Sequence, residues 1–248
     1  MSFLRPLWVA MQLLTRLPAP QSGAADAVAA GRSLLCYPLV GLLIGAILAA
    51  ADRLLAPYFP PLLLAALLLA LWVALTGALH LDGLADSADG WLGGFGDRER
   101  TLAIMHDSRS GSAAIVAVAL VLLLKFSALT AIAGTQHWRE LLLVPMLGRA
   151  LLPLLFLTTP CARPDGMAAS LAIHLPRRAA WLVVALSLLL VVLAAPSGIK
   201  LAAIGLLVFI ALRQMMLARI SGMTGDTAGA LVELVETAAL IMLAACLY

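Results

Sequence analysis

Charged residues are scarce in this sequence. Asp, Glu, Lys and Arg make up 12% of the 248 residues, whereas 63% are hydrophobic and the mean hydropathy is +1.06. A soluble globular domain carries about 25% charged residues, because its surface has to face water. The composition therefore excludes an ordinary soluble protein and predicts an integral membrane protein.

Cysteine is also rare, and its three positions are far apart. Cys36, Cys161 and Cys246 form neither a CxxC pair nor a disulfide framework, so neither a thiolate metal site nor a disulfide-stabilised fold is expected. Runs of basic residues interleaved with aromatics are missing too, so the net charge of +3 does not indicate a nucleic-acid partner. The arginines are better explained as signals of membrane topology.

A recognisable cleavage site is absent near the start of the chain. The stretch FLRPLWVAMQLLTRLPAP has no small-residue site for a signal peptidase and is interrupted by Pro6, Arg16 and Pro18. We interpret this stretch as an amphipathic helix at the membrane interface, with Trp8 as its candidate anchor.

What the sequence does contain is a series of apolar runs that approach the roughly 20 residues needed to cross a bilayer. They cover residues 34–51, 62–79, 113–134, 141–158, 180–195, 201–217 and 230–247. The fifth run is short and lies close to the sixth, so a tight hairpin or a re-entrant pair is an alternative there. We predict an all-α, polytopic membrane bundle of about seven transmembrane helices plus the N-terminal interfacial helix, in a single domain over residues 1–248.

The cationic residues favour one orientation of these spans. Arginines collect in the N-terminal segment and in alternate loops, whereas the remaining loops carry only Arg53, Arg139 and Lys200. By the positive-inside rule, the N-terminus lies in the cytoplasm and the C-terminus outside. Most acidic residues fall in the same arginine-rich segments, with Asp52 and Glu140 as exceptions. We therefore expect a protein of the cytoplasmic (inner) membrane whose active site faces the cytoplasm.

The segment from residue 80 to residue 112 is the most polar part of the chain. Its first part, HLDGLADSADG, spaces Asp82, Asp86 and Asp89 so that all three carboxylates project from one face of a helix. Their mutual repulsion is relieved by a hard divalent cation such as Mg2+, which binds carboxylate oxygens and substrate phosphates together. A solvated helix end is the alternative. We predict a metal site in an acidic active-site loop over residues 80–112.

A second polar group directly precedes the third span. Asp107, Ser108, Arg109 and Ser110 lie where backbone N–H groups at a helix start, hydroxyls and an arginine favour phosphate binding. Ordinary capping of this helix by Ser110 or Ser112 is the alternative explanation for the serines.

A third group, SGMTGDTAGALVELVE at residues 221–236, contains Thr224, Asp226, Glu233 and Glu236. Carboxylates at the start of a membrane span are costly to maintain, which indicates function rather than simple capping. We predict that this segment is the second half of the acidic site, near the cytoplasmic rim.

Three further cations are candidates for binding an anion. Lys125 and Arg149 fall well inside apolar runs, where an ionisable group indicates function by default. Snorkelling or a misplaced span boundary is the alternative for Lys125. Arg149 is the better candidate to face an anionic substrate or the acidic cluster. Arg163, in the turn ARPDG, either binds phosphate or only obeys the positive-inside rule.

Six segments, taken in order, resemble a known family. They are LLTRLPAP, CYPLVGLLIGAIL, HLDGLADSADGW, RERTLAIMHDSRSGSAA, ARPDG and SGMTGDTAGALVELVE. Together they resemble the cobalamin synthase family, the adenosylcobinamide-GDP ribazoletransferases, over nearly the whole chain. The sequence departs from the family pattern at two positions, with His106 in place of a lysine and Glu233 in place of an uncharged residue.

The resemblance implies a Mg2+-dependent transfer that completes the nucleotide loop of vitamin B12. Adenosylcobinamide-GDP reacts with α-ribazole or its 5′-phosphate, GMP is released, and adenosylcobalamin or its 5′-phosphate is formed. The bilayer is the other expected partner, nucleic acid is not one, and a homo-oligomer is compatible with the sequence.

Roles for individual residues follow from the resemblance together with the patterns above. The expected metal ligands are Asp82, Asp86, Asp89, Asp226 and Glu236. The expected substrate- and phosphate-binding residues are Ser108, Arg149, Arg163 and Thr224. Catalysis is assigned to Asp82 and Asp86, to Asp107 as a further ligand or base for the ribazole hydroxyl, and to Arg109 on phosphate oxygens.

Two other functions fit parts of the pattern. A CDP-alcohol phosphotransferase-like enzyme also uses spaced aspartates at a membrane face, but Asp86 stands where its motif requires arginine. A cation transporter would line its pathway with carboxylates and Arg149, but transporters place such charges near the bilayer midplane. We expect the acidic residues of this chain at one rim instead.

Overall fold

The computed structural model describes residues 4–20, 26–107, 109–135 and 138–247, and these residues form twelve α-helices. The helices are α1 (Arg5–Leu14), α2 (Ala27–Ser33), α3 (Tyr37–Leu55), α4 (Pro61–Thr76), α5 (Leu79–Gly93), α6 (Arg98–Ile104), α7 (Ser112–Ile132), α8 (Trp138–Thr158), α9 (Met167–Ile173), α10 (Arg177–Ala194), α11 (Gly198–Ile220) and α12 (Gly225–Ala245).

Several of these helices are long and apolar enough to cross a membrane. Six such spans occur in the described residues, with α2 and α3 joined into one, and α4 with α5 makes a seventh if that bent pair counts as a span. The prediction of an all-α polytopic membrane bundle is confirmed. Since α10 has 18 residues and α11 has 23, the fifth and sixth runs are two full-length helices rather than a re-entrant pair.

The fourth long helix, α8, lies at the centre of the bundle. In its most apolar stretch 89% of the residues are buried, compared with 22% for α10, which places α10 at the periphery. Glycines let α3 pack closely against α8: a Cβ atom at Gly41 would lie 2.5 Å from the carbonyl oxygen of Pro145, and one at Gly45 would overlap Leu142. Because lipid offers helices no hydrophobic driving force to associate, such close backbone packing supplies much of the stability.

The second apolar run ends earlier than the sequence predicts. Helix α4 stops at Thr76, and Gly77 (φ +61°) and Ala78 (φ 59°) both adopt the left-handed conformation. The chain turns by 86° between α4 and α5. The segment expected as an acidic loop is therefore mostly helical, and α5 crosses the bundle beside α7 and α12.

The predicted N-terminal helix is present as α1, and it packs against α2 and α3 with Ala10 and Leu14 buried. At the opposite end of the bundle, the backbone N–H of Gly134 donates to Asp52 over 2.8 Å. The loops thus fall into the two predicted groups, one at each end. Which end faces the cytoplasm stays a prediction.

Helix α5 crosses α12 where Gly83 lies beside Gly229. A Cβ atom at Gly83 would lie 2.7 Å from the carbonyl oxygen of Asp226, whereas one at Gly225 would meet nothing within 4 Å. We expect Gly83→Ala to lower the free energy of unfolding by about 1–3 kcal/mol, because the crowded backbone has to shift. Gly225→Ala is the matched control and should change it little. Thermal unfolding in detergent micelles measures both, and equal stability of the two variants would contradict the close crossing.

Candidate active site

Helix α5 carries the three predicted aspartates on one face. Asp82 is exposed, and Asp86 and Asp89 are partly buried. The carboxylates of Asp82, Asp226 and Asp89 all lie close enough to Asp86 to repel it electrostatically, and the guanidinium of Arg163 attracts it. We call Asp82, Asp86 and Asp89 the acidic face. It has the geometry that the sequence spacing predicts.

Two segments about sixty residues apart in sequence are hydrogen-bonded to each other near the acidic face. The backbone N–H of Ala162 donates to the carbonyl of Met223 over 2.8 Å, and the N–H of Met223 donates to that of Pro160 over 2.8 Å. Arg98 of α6 also donates to the carbonyl of Ala162 over 2.8 Å. These bonds hold the ARPDG turn against the start of α12, so that Arg163 and Asp226 lie on the same side of the bundle.

A cavity of about 320 Å³ opens between these elements. Asp82, Arg163, Thr224 and Asp226 line it together, and we call these four residues the polar edge. The hydroxyl of Thr224 lies 3.3 Å from a carboxylate oxygen of Asp226 and also caps α12 by accepting from the N–H of Thr227. The structure therefore brings the predicted second acidic segment against the first through Asp226.

Asp89 has a different environment from the other two aspartates of α5. Its carboxylate accepts from the N–H of Gly111 over 2.5 Å and from that of Ala114 over 2.9 Å, so it caps α7. Neither Ser110 nor Ser112 supplies this cap. The predicted phosphate site at the start of α7 is thus corrected, because the anion bound there is the carboxylate of Asp89.

Asp107 and Arg109 form an ion pair with each other over 2.8 Å, and the Arg109 side chain is 87% exposed. Hydrogen bonds from Arg109 lower the pKa of Asp107 to about 2. The role of Asp107 as a further ligand or base stays a prediction. Neither residue lines the cavity, and Ser108 lies outside the described residues.

Glu236 and Arg149 lie away from the polar edge, in a cluster of buried charges. Lys125 Nζ contacts Glu233 over 2.7 Å and Glu236 over 2.6 Å, and Arg149 pairs with the other oxygen of Glu236. Their side chains are at most 5% exposed. We call Lys125, Arg149, Glu233 and Glu236 the ion cluster.

The ion cluster corrects three predictions. Glu236 is engaged by two cations rather than facing the acidic face, so it is not a metal ligand in this arrangement. Arg149 is fully buried and does not line the cavity, so it does not reach a phosphate there. Both glutamates lie mid-helix rather than at the rim. The physical reason is common to all three: a charge in an apolar interior is stable only beside its counter-charge.

The remaining carboxylates fit a hard cation in one respect. Within the described part of the chain, Asp82, Asp86 and Asp226 have no ion-pair partner within 4.0 Å, and Asp82 and Asp226 are near enough to repel Asp86 electrostatically. No group of three or more His, Cys, Asp or Glu side chains among the described residues is close enough to hold a metal ion by itself. The two carboxylates at the polar edge, Asp82 and Asp226, are the oxygen donors that the cavity offers to a hard cation such as Mg2+.

One cavity residue was not singled out from the sequence. His80 is 4% exposed, lines the cavity, and lies with its Nδ1 atom 3.2 Å from a guanidinium nitrogen of Arg149. Its position at the start of HLDGLADSADG is the only sequence feature that indicates a role for His80, since its partner Arg149 is 69 residues away.

The bundle of apolar helices indicates an integral membrane protein, and two carboxylates and an arginine lie together at one edge of its cavity. The chain belongs to the cobalamin-5-phosphate synthase family, whose profile matches residues 6–244. The family resemblance predicted from the sequence is confirmed.

Curated relatives match almost the whole chain. The adenosylcobinamide-GDP ribazoletransferase of Pseudomonas paraeruginosa is 57% identical over 241 residues, which is 97% of this chain and 98% of the relative. The proteins of the same name from Pseudomonas fluorescens and Stutzerimonas stutzeri are 55% and 54% identical, over 96% of this chain and 98% and 97% of theirs. No solved structure shows significant similarity to the chain.

The pairing in the ion cluster can be tested by removing one of its charges. We expect Lys125→Met to lower the free energy of unfolding by about 3–5 kcal/mol, because Glu233 then keeps its buried charge without a partner. Adding Glu233→Gln should recover much of the loss, since the neutral pair leaves Arg149 opposite Glu236. Denaturant unfolding in micelles gives the values, with Lys200→Met as the exposed control. A Lys125→Met protein as stable as the control would refute the pairing.

Proposed function

We propose that this chain transfers the adenosylcobinamide phosphate moiety of adenosylcobinamide-GDP to α-ribazole or its 5′-phosphate. A ribose hydroxyl oxygen forms the new bond to the phosphorus on the cobinamide side, the bond to the neighbouring phosphate breaks, and GMP leaves. The product is adenosylcobalamin or its 5′-phosphate. The support is family membership over residues 6–244 and relatives of that name that are 53–57% identical over nearly their whole length.

The structural observation that carries the proposal is the polar edge of the cavity. Two carboxylates, Asp82 and Asp226, line it together with the guanidinium of Arg163. Catalysis of phosphoryl transfer depends mainly on positioning and on neutralising negative charge. Asp82 and Asp226 can hold a metal ion, and Arg163 can contact phosphate oxygens directly. Together these groups can position the diphosphate and neutralise its charge.

Mg2+ is the cofactor that we propose, with Asp82 and Asp226 as its ligands and Asp86 beside them. When bound, Mg2+ neutralises charge on the diphosphate and makes its phosphorus more electrophilic. Thr224 orients Asp226 through the contact of 3.3 Å between their side chains. Arg163, which donates to the carbonyl of Leu102 over 2.5 Å, is held in place to bind phosphate oxygens.

The acidic face belongs, in our proposal, to the cytoplasmic side of the cytoplasmic membrane. Arg98, Arg163 and Arg219 lie at that end of the bundle, where they bind backbone carbonyls of neighbouring segments. Their charge fits the positive-inside rule. A site on this side is open to the water-soluble nucleotide substrates.

Neither alternative function gains support from the structure. The ion cluster lies mid-helix, where transporters keep their coupling charges, but its two cations and two carboxylates are paired with one another. The CDP-alcohol phosphotransferase pattern still lacks its arginine, because Asp86 occupies that position on the acidic face.

Replacing single carboxylates tests the active-site assignment. We expect Asp82→Asn and Asp86→Asn to abolish GMP release from adenosylcobinamide-GDP and α-ribazole in the presence of Mg2+, because each loses charge beside the metal. Membrane insertion should be unaffected, as judged by yield and thermal unfolding. Glu99→Gln, at an exposed carboxylate of α6, is the control. Full activity of the Asp82 and Asp86 variants would refute the metal assignment.

The polar edge predicts different kinetic defects for its two kinds of ligand. Asp226→Asn should raise the Mg2+ concentration for half-maximal activity by about tenfold or more, since metal affinity depends on the number of charged ligands. Arg163→Lys should leave that concentration unchanged and raise KM for adenosylcobinamide-GDP, because lysine cannot bind phosphate in a bidentate manner. Titration of Mg2+ and of substrate separates the two. A Mg2+ defect in the arginine variant would contradict this division of roles.

A further inference from the structure

The cavity has two walls of opposite character. Its polar edge carries the charges, whereas side chains of α1, α3, α8 and α9 form an apolar wall. These apolar lining residues are Leu13, Leu14, Tyr37, Leu152, Phe156 and Leu171. A wall of this kind favours a flat hydrocarbon surface over a phosphate or a sugar.

His80 supplies a hydrogen-bond donor of fixed direction at this wall. A guanidinium group has only donors, so the Arg149 nitrogen that lies 3.2 Å from Nδ1 of His80 must donate to it. A neutral imidazole that accepts at Nδ1 carries its proton on Nε2. The Nε2 atom makes no hydrogen bond to any residue in the described part of the chain.

The ion cluster keeps this tautomer in place. Arg149 is held by Glu236, and Glu236 is held in turn by Lys125. His80 is 4% exposed and lines the cavity, and its Nε2 atom is not among the buried polar atoms that lack a partner, so the N–H is accessible from the cavity to an acceptor on a ligand. The cavity therefore suits a mostly apolar ligand group with one hydrogen-bond acceptor.

The bases of the two substrates differ in this respect. The 5,6-dimethylbenzimidazole of α-ribazole is a flat, largely apolar aromatic ring system with a single hydrogen-bond acceptor, its imine nitrogen. Guanine presents a carbonyl, an amide N–H and an amino group, which an apolar wall would leave unpaired.

We infer that this wall is the base-binding subsite for α-ribazole, and that His80 donates from Nε2 to the imine nitrogen of the base. The inference rests on the proposed function, since it takes α-ribazole as a substrate. It places the base beside the polar edge, so that the attached ribose extends toward Asp82 and Asp226.

The decisive experiment compares two acceptors on the unmodified protein. One is α-ribazole, and the other is the matching α-riboside of 5,6-dimethylindole, in which C–H replaces the imine nitrogen. We expect the intact protein to prefer α-ribazole by about tenfold or more in kcat/KM, because the indole leaves the His80 donor unpaired. His80→Phe should reduce this preference to about twofold or less, whereas His174→Phe, outside the cavity, should retain it.

A second variant tests the wall independently of the ion cluster. Phe156→Ala should raise KM for both acceptors and leave KM for adenosylcobinamide-GDP unchanged, with Leu186→Ala on the exposed surface of α10 as its control. GMP release without discrimination between the acceptors, or discrimination that survives in His80→Phe, would overturn the inference alone. A rise in KM for adenosylcobinamide-GDP in Phe156→Ala would also overturn it. No GMP release by the intact protein would overturn the proposed function as well.

Discussion

The rest of the structure depends on how four charges are buried together in the bundle. Lys125 on α7 and Arg149 on α8 face Glu233 and Glu236 on α12. In an apolar interior each charge is tolerated only while its partner is present, so the three helices have one relative register in which all four are neutralised. Lys125 also lies 4.7 Å from the ring centroid of Trp72, which ties α4 to the same point. Arg149 also contacts His80 of α5, so the position of α5 beside the cavity is linked to the same cluster.

The acidic face is held in position by contacts that leave its key carboxylates unpaired. Gly83 lets α5 approach the start of α12, Asp89 fixes α5 to the first turn of α7, and a backbone bridge between Cys161 and Met223 holds Arg163 nearby. The repulsion among Asp82, Asp86 and Asp226 is thus sustained by packing elsewhere.

The sequence predicts the helices and the acidic face well, because both depend on local spacing. Hydropathy locates the spans, and the spacing of Asp82, Asp86 and Asp89 places them on one helical face. The partners of buried charges cannot be predicted in this way. Lys125 and Glu233 are 108 residues apart, and the capping of Gly111 by Asp89 spans 22. The left-handed conformation of Ala78 could not be predicted either, because no local sequence pattern indicates that conformation for an alanine.

The shortness of α4 has a consequence for how the protein meets its bilayer. With 16 residues it is about 24 Å long, less than the roughly 30 Å of a typical hydrocarbon core. Helix α5 then turns aside by 86°, and its Leu81 and Leu84 pack beside Val121, about 14 Å along α7 from its start. A span this short is matched to a bilayer by local thinning or by water that enters beside the polar residues.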